Sequence, residues 1–571
     1  VGFIVIAMVL SVFAARLVQL QGVDPDQYAE MAAAEGSETV ILPATRGEIL
    51  DRTGEPFAES IDGRMIVADP AMTADDAPEL ATLLAKRLDL DYVEVLERLR
   101  VEGSRFQYIA RQVRTSLAED VVAAAEKKGF VGLFLHRDPV REYPFGDLAA
   151  NMIGFLGTPK KDGSARALAG LEDSFNDYLS GIDGEARYEM GAGNLIPLGD
   201  NTVIPAVDGS DLTLTLDSRL QFYTQKVLQQ TVEGADGESG IAIIMDSRTG
   251  KLLSLADYPT YDASEPQEWP KSRYKSSALT DVYEPGSTEK VLTLSAVIDA
   301  GLGRPRQQYV VPPALNRQDK PIHDHWVHGI EHLTLAGILA KSSNIGTVLA
   351  ADRFEPGQLR SYLTAFGFGE QTGIGLLGET KGLLPDGEAW TDQVDDRIAF
   401  GQSLSVNAVQ MVAAVNAIAN DGIRIDPSLV DGSAILDDGT EVGSDHAEQR
   451  RVVSTKAARQ TALMMERVLD PVDGVAPTAA VRGYRIAGKT GTAQRVDDSC
   501  ACYDGSRTAS FVGFGPTDDP RFTVYVVVHN SRGGGGSAVA GPAFAKLMSY
   551  ALRHYGVPPT ETRPSRLPVE W

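Results

Sequence analysis

"YEPGSTEK", Tyr283 to Lys290, sets a glycine-marked turn directly ahead of a helix, with serine first and lysine three residues later. The stretch that follows, "VLTLSAVIDAG" at 291–301, has helical apolar spacing and closes on glycine. On such a helix Ser287 and Lys290 share one face, a turn apart. A serine hydroxyl is a weak nucleophile at neutral pH, and an adjacent amine is the natural base for it. Ser-x-x-Lys is common by chance, so two further stretches carry the weight. "KSSNIG" at 341–346 supplies Ser342 and Asn344 on a short turn. "GKTGT" at 488–492 supplies Lys489, Thr490, Gly491 and Thr492 on an expected strand. Each motif is weak alone, and the three in this order form a strong signal.

Acyl transfer gives each residue a task. Ser287 attacks a carbonyl carbon and becomes an acyl ester, while Lys290 takes its proton. An ordinary lysine, with a pKa near 10.4, would be charged. A second ammonium about 4 Å away, at an effective dielectric of ~20, costs about 4 kcal/mol, enough to make it neutral. Lys489 is expected to supply that repulsion. Ser342 would relay a proton to the departing amine, and Asn344 would hold the substrate amide. Thr490 and Thr492 would donate to a terminal carboxylate, with Gly491 letting the backbone come close. The backbone N–H groups of Ser287 and Thr492 are the candidate oxyanion hole.

The other charged stretches have blander readings. Lys251 and Lys341 read as solvated surface charges, and Glu289 as a helix N-terminal carboxylate favoured by the macrodipole. "HDHWVHGIEH" at 323–332 gathers His323, His325, His328 and His332. Imidazole pairs bind zinc, but serine chemistry needs no metal. Turn and groove packing ahead of Ser342 is the preferred reading, with no metal and no cofactor expected.

The chain has 571 residues, room for three or four domains. Its 53 Lys and Arg against 78 Asp and Glu leave a charge of −25, the wrong sign for a nucleic-acid footprint. "VGFIVIAMVLSVFAA" at 1–15 is an apolar run followed by Arg16 and the amphipathic "LVQLQ". As a helix it spans roughly 22 Å, short of the ~30 Å hydrocarbon core, so it is expected to be a truncated anchor. A cleavable signal peptide is the rival reading, disfavoured because the helical pattern runs on past the small residues. Cys500 and Cys502, as "CAC", are the only cysteines. They read as loop thiols, with a strained local bridge as the sharper alternative.

Three segments within 74–129 ("APELATLLAKRLDL", "DYVEVLERLR" and "AEDVVAAAEKKG") carry helical spacing. A mixed strand and turn signal from about 182 to 210 marks a junction. Beyond it, "GIAIIMDSRTGKLLSLADYP" at 240–259 predicts a hairpin. Helices are expected at 287–300, 334–352 and 404–420, strands in "RIAGKTGTAQ" and "RFTVYVVVHN", and a final helix in "GPAFAKLMSYALRHYG". Strands at both ends with helices between them predict a sheet under helical layers, an α/β arrangement.

Ser-x-x-Lys, Ser-x-Asn and Lys-Thr-Gly together resemble the set of penicillin-binding proteins and serine β-lactamases. "RGEILDRTGEPFA" at 46–58, "REYPFGDLAANMIGFLG", "GLEDSFNDYLSG" and "IAFGQSLSVNAVQMVAAVNAIANDG" extend the resemblance to the class B penicillin-binding proteins. The compact N-terminal module and "YEPGS" resemble the division-type, FtsI-like branch. Glu289 departs from the apolar residue expected there, at a spacer position. The resemblance implies a multidomain α/β protein with a transmembrane anchor at 1–20 and an elongated α+β pedestal, or dimerisation-like, module at 21–210. It implies a β-lactamase-like transpeptidase domain at 211–560 and a tail at 561–571. The implied activity is a D,D-transpeptidase that cross-links peptidoglycan stem peptides, D-Ala-D-Ala donor to amine acceptor, during septal wall synthesis. Inhibition by β-lactam antibiotics is implied with it. An elongation-type enzyme, a D,D-carboxypeptidase or a β-lactam sensor of the same fold are the alternatives. A SEDS-type glycosyltransferase and other divisome membrane proteins are the implied partners, and the outer face of the cell membrane the implied location.

Overall fold

The computed structural model describes residues 2–18, 37–157, 166–191, 194–195, 202–318, 320–497 and 502–571. They divide into two compact units, one within 1–47, 60–142 and 179–210, the other within 48–59, 143–178 and 211–571.

In the first unit, strand Gly63–Ala68 lies between Gln107–Arg114 and Leu133–Arg137 in an antiparallel sheet. Helices Ala77–Leu88, Tyr92–Arg98 and Thr115–Glu126 bury Leu80, Leu84, Val95 and Val121 in one core with Ile66 of the central strand. All three helices match the apolar spacing, but Gln107–Arg114 between them is a strand. Its alternation is obscured by the half-buried Arg111, which the Asp138 carboxylate holds by two bonds of 2.7 and 2.9 Å. A second sheet pairs Ser37–Leu42 with Gly184–Gly191, which also pairs with Thr202–Ile204. Helix Gly2–Val18, 17 residues long, exposes Phe3, Met8 and Val12. Among the described residues no helix is long and apolar enough to cross a membrane. Cys500 and the side chain of Cys502 lie outside the described residues.

The second unit is built on five antiparallel strands. In chain order its main elements are α1 (Ser218–Gly234), β1 (Ser239–Asp246), β2 (Leu252–Tyr258), α2 (Lys290–Asp299), α3 (Leu335–Lys341), α4 (Asn344–Ala351), α5 (Ala408–Ala419), α6 (Thr455–Glu466), β3 (Ala487–Asp497), β4 (Cys502–Gly515), β5 (Phe522–Ser531) and α7 (Ala540–His554). The sheet order is β2-β1-β5-β4-β3. The inner strands β1 and β5 are buried on both faces, which explains their continuous apolar sequence in place of alternation. Helices α1 and α7 pack on the sheet together, and α5 packs on it separately. Asn407 caps α5 in a reciprocal capping box with Gln410.

The single helix expected at 334–352 is two. Ser342 has a left-handed φ of 62°, which ends α3, and Ser343 caps α4 by accepting from Gly346 N. Strand β3, which carries the Lys-Thr-Gly run, is an edge strand of this sheet. The sheet depends on its helical cover. Phe544 of α7 is fully buried, its ring centroid 4.6 Å from that of Phe511 on β4. Phe544→Ala should cost about 3–5 kcal/mol, read as a lower midpoint in urea unfolding. Phe222→Ala, at a ring that is 57% exposed, should stay within about 0.5 kcal/mol of the wild type.

Candidate active site

Ser287 sits in a single 3₁₀ turn, Gly286–Thr288, directly ahead of α2. The turn is fixed from both sides. Gly286 N donates to Gly401 O at 2.9 Å, and Thr288 Oγ1 donates to Pro285 O at 2.7 Å. Gly401 has a φ of 87°, and a Cβ there would lie 2.0 Å from Gly286 O, so only glycine fits. A Cβ on Gly491 of β3 would lie 2.2 Å from Ser510 Oγ and 3.1 Å from Pro285 O. The edge strand therefore presses against the serine turn by way of a glycine.

Ser287 opens onto a cavity of about 530 Å³, lined also by Ser342, Asn344, Thr490 and Thr492. Behind it lie two fully buried lysines. Lys290 Nζ donates to Ser342 O and to Asn344 Oδ1, each at 2.7 Å, and approaches Ser342 Oγ at 3.5 Å. Lys489 Nζ donates to the same Ser342 Oγ at 2.8 Å, to Thr490 O at 3.0 Å and to Thr490 Oγ1 at 3.2 Å. One serine hydroxyl thus stands between two amines. Asn344 is held at its other end, Nδ2 donating to His323 O at 2.9 Å. Thr492 Oγ1 accepts from Gly536 N at 3.1 Å, which leaves its own proton to donate into the cavity.

The electrostatics correct the expectation about the lysines. Burial is the first cause that lowers Lys290, to about 7, while the carboxyls of Asp324 and Glu289 work in the opposite direction. Lys489 is pushed well down, again by burial first and then by repulsion from Lys290. The repulsion therefore falls on Lys489 and not on Lys290, the reverse of the expectation, and desolvation, which sequence spacing cannot display, is what lowers Lys290.

Glu289 also departs from its expected reading. It stands at the N-terminus of α2 as expected, but it is fully buried, and Thr293 Oγ1 donates to its Oε1 at 2.6 Å. Burial raises this carboxyl well above its usual range, towards the neutral acid. Lys341 forms ion pairs with Glu331 and Glu570, and Lys251 with Asp431.

Of the histidine-rich stretch, His325 lines the cavity. Its outer edge reaches solvent, but desolvation, then the two lysine charges, push the imidazole down to about 4, so it is neutral at physiological pH. Among the described residues no three His, Cys, Asp or Glu side chains converge as a metal site would require. The residue that sequence reasoning passed over is Asp324. Its side chain is fully buried, and its Oδ1 accepts from Asn344 N at 2.5 Å and Ile345 N at 3.0 Å. Its Oδ2 meets Ser343 Oγ at 2.7 Å and His328 Nε2 at 3.1 Å. An aspartate flanked by histidines was the available signal.

Known proteins resemble this chain along most of its length. Residues 240–549 match the family model for the penicillin-binding protein transpeptidase domain, and residues 41–214 that for the penicillin-binding protein dimerisation domain. Penicillin-binding protein PbpB of Mycolicibacterium smegmatis is 33% identical, covering 98% of this chain and 90% of that protein. Peptidoglycan D,D-transpeptidase FtsI of Escherichia coli is 29% identical, covering 97% and 91%. The crystal structure of penicillin-binding protein 3 from Mycobacterium tuberculosis, complexed with aztreonam, superposes with a TM-score of 0.71 at 29% identity, covering 93% of this chain and all of that one. With both family models matched in order and a relative aligned along almost the whole sequence, the chain belongs to the class B penicillin-binding proteins.

Proposed function

We propose that this peptidoglycan D,D-transpeptidase works through Ser287 as nucleophile and neutral Lys290 as its base, with Ser342 passing the proton onward. The observation that carries this reading is the single Ser342 hydroxyl set between two buried lysines. Ser287 Oγ attacks the carbonyl carbon of the D-Ala-D-Ala bond, and its proton goes to Lys290 Nζ. As the C–N bond breaks, Ser342 donates to the departing amine and recovers a proton from the lysine pair. The acceptor amine then attacks the ester and returns Ser287 to its starting state. The backbone N–H groups of Ser287 and Thr492, on two segments that line one cavity, are the oxyanion donors in this scheme. The hydroxyls of Thr490 and Thr492 bind the donor's terminal carboxylate, and Asn344 binds its amide.

Transfer to an amine is favoured over hydrolysis by what the cavity is made of. Among its described lining residues there is no carboxylate, the group that would activate water for deacylation. An incoming amine is the stronger nucleophile once deprotonated, and Ser342 and the lysine pair can take its proton and return one to Ser287 as the ester bond breaks, the reverse of the acylation step.

The septal role, with a SEDS-type glycosyltransferase and divisome proteins as partners, rests on the similarity to FtsI and belongs to the same proposal. So does the reading of Gly2–Val18, with its exposed apolar side chains, as part of an anchor that holds the catalytic domain outside the membrane. Depletion that yields filaments supports the septal role, and depletion that yields rounded cells supports elongation.

Three outcomes test the catalytic reading. Fluorescent penicillin should label Ser287 alone, by peptide mapping, and Ser287→Ala should abolish both labelling and transfer from a synthetic D-Ala-D-Ala stem to an amine.

The acylation rate should rise with pH through a midpoint near 7. Lys290 must lose its proton to act, and its pKa is lowered to about 7, so protonation below that value removes the base. A stopped-flow series from pH 5 to 9 checks this.

Gly491→Ala should cut acylation at least about tenfold, roughly 1.4 kcal/mol in the barrier. The new methyl must displace Ser510 or the serine turn. Acylation kinetics of the folded variant, beside its urea midpoint, measure the effect.

A further inference from the structure

Beyond the three motifs, we infer that Asp324 is a positioning residue of the reaction, fixing the Ser342–Asn344 turn in the register that presents it to Lys290. This inference rests on the catalytic reading above. The Asp324 carboxylate gathers four donors: the backbone N–H groups of Asn344 and Ile345 at 2.5 and 3.0 Å, Ser343 Oγ at 2.7 Å, and His328 Nε2 at 3.1 Å. Three of those donors belong to consecutive residues, beginning one residue after Ser342. No cation of lysine or arginine type pairs with Asp324 among the described residues, so the carboxylate is balanced by these dipoles and by the imidazole.

The turn needs such a clamp. Ser342 occupies a left-handed φ of 62°, a conformation that costs a residue with a side chain roughly 1–2 kcal/mol. From that conformation it offers its carbonyl to Lys290 and its hydroxyl to Lys489. Asn344, whose N–H is held by Asp324, places Oδ1 on Lys290. A relaxed turn would move all three acceptors together. Displacement of reacting groups by about 1 Å can cost a reaction on the order of 100-fold.

Asp324 also acts by charge. The groups facing Lys290 are Asp324 and Glu289, which favour its protonated form, and Lys489, whose own amine is pushed well down by burial and by Lys290. His325 lies on the same cavity and is neutral at physiological pH. Removing the Asp324 charge therefore lowers Lys290 further and makes it available as a base at lower pH.

Two substitutions separate shape from charge, with penicillin acylation followed from pH 5 to 9 on protein whose fold is checked by circular dichroism. Asp324→Asn keeps the shape and loses the charge. It should acylate at least about tenfold more slowly at pH 8, with its midpoint displaced to lower pH, so that the deficit narrows at pH 6. Asp324→Glu keeps the charge but cannot meet the same donors. It should lose rate by a similar factor with no acid displacement. Wild-type rates in either variant would overturn the inference, and so would a slow Asp324→Asn with an unmoved midpoint, the behaviour of a merely structural residue. If Asp324→Asn fails to fold, Asp324→Glu still decides, since undiminished acylation there removes the positioning role. Ser287→Ala is run alongside, and labelling that persists in it would count against the catalytic reading and not against Asp324.

Discussion

Two buried lysines sharing one serine hydroxyl is the constraint to which the rest of the catalytic unit answers. Taking an ammonium out of water is costly, and a paired carboxylate is the usual remedy. Here the contacts of Lys290 and Lys489 are neutral: a serine carbonyl and hydroxyl, an amide oxygen, and a threonine carbonyl and hydroxyl. Those acceptors satisfy an uncharged amine as well as a charged one. Desolvation then biases both lysines toward losing a proton. The unusual backbone at Ser342 follows from this requirement, because one residue must serve both amines. The break between α3 and α4 is therefore part of the site's construction.

The close contacts around the serine turn follow from the same demand. Three separate segments meet there, carrying Ser287, Gly401 and Gly491. At both glycines a side chain would collide with the serine turn or the neighbouring strand, so their absence of a Cβ sets how near these segments lie to Ser287. The edge position of β3 leaves its outer side clear of sheet partners among the described residues, open to a peptide running alongside it. Packing and catalysis are thus one problem at this point.

The members of the candidate site were legible in the sequence where they lie at short range. Ser287 and Lys290 lie a turn apart, Ser342 and Asn344 flank one residue, and the Lys-Thr-Gly run occupies one strand. What could not be read were the effects of distant partners. Asp324 lies 20 residues before Asn344, in a stretch whose histidines drew attention to metals, and nothing local says that its carboxylate closes on the next helix. Glu289 does stand at the N-terminus of α2 as expected, but its burial is decided by the packing around that helix and not by its neighbours in the chain. The strand Gln107–Arg114 was hidden for a similar reason. An ion pair of the half-buried Arg111 with Asp138 let a charged residue stand where alternation called for an apolar one. In the helices between Ala77 and Glu126 the pattern predicted structure well, since there apolar periodicity alone sets it.

The lining of the site differs from the acidic exterior. The chain carries a net charge of −25, yet the reaction cavity is lined by Arg507 and has no carboxylate among its described lining residues. At physiological salt, fields from surface charges fade within about 8 Å, so the acidic exterior has little reach into a peptide already bound. What the bound substrate meets is local: hydroxyl protons of Thr490 and Thr492, backbone N–H groups, and whatever positive charge the lysine pair retains. A donor ending in a carboxylate suits such a wall, and its binding would itself stabilise a proton on Lys489. That proton lies one hydrogen bond from Ser342 Oγ, the position from which the departing amine would be protonated. In the proposed reaction, substrate binding and proton delivery are in this way coupled through a single side chain, so the scheme turns on Ser342 as much as on Ser287.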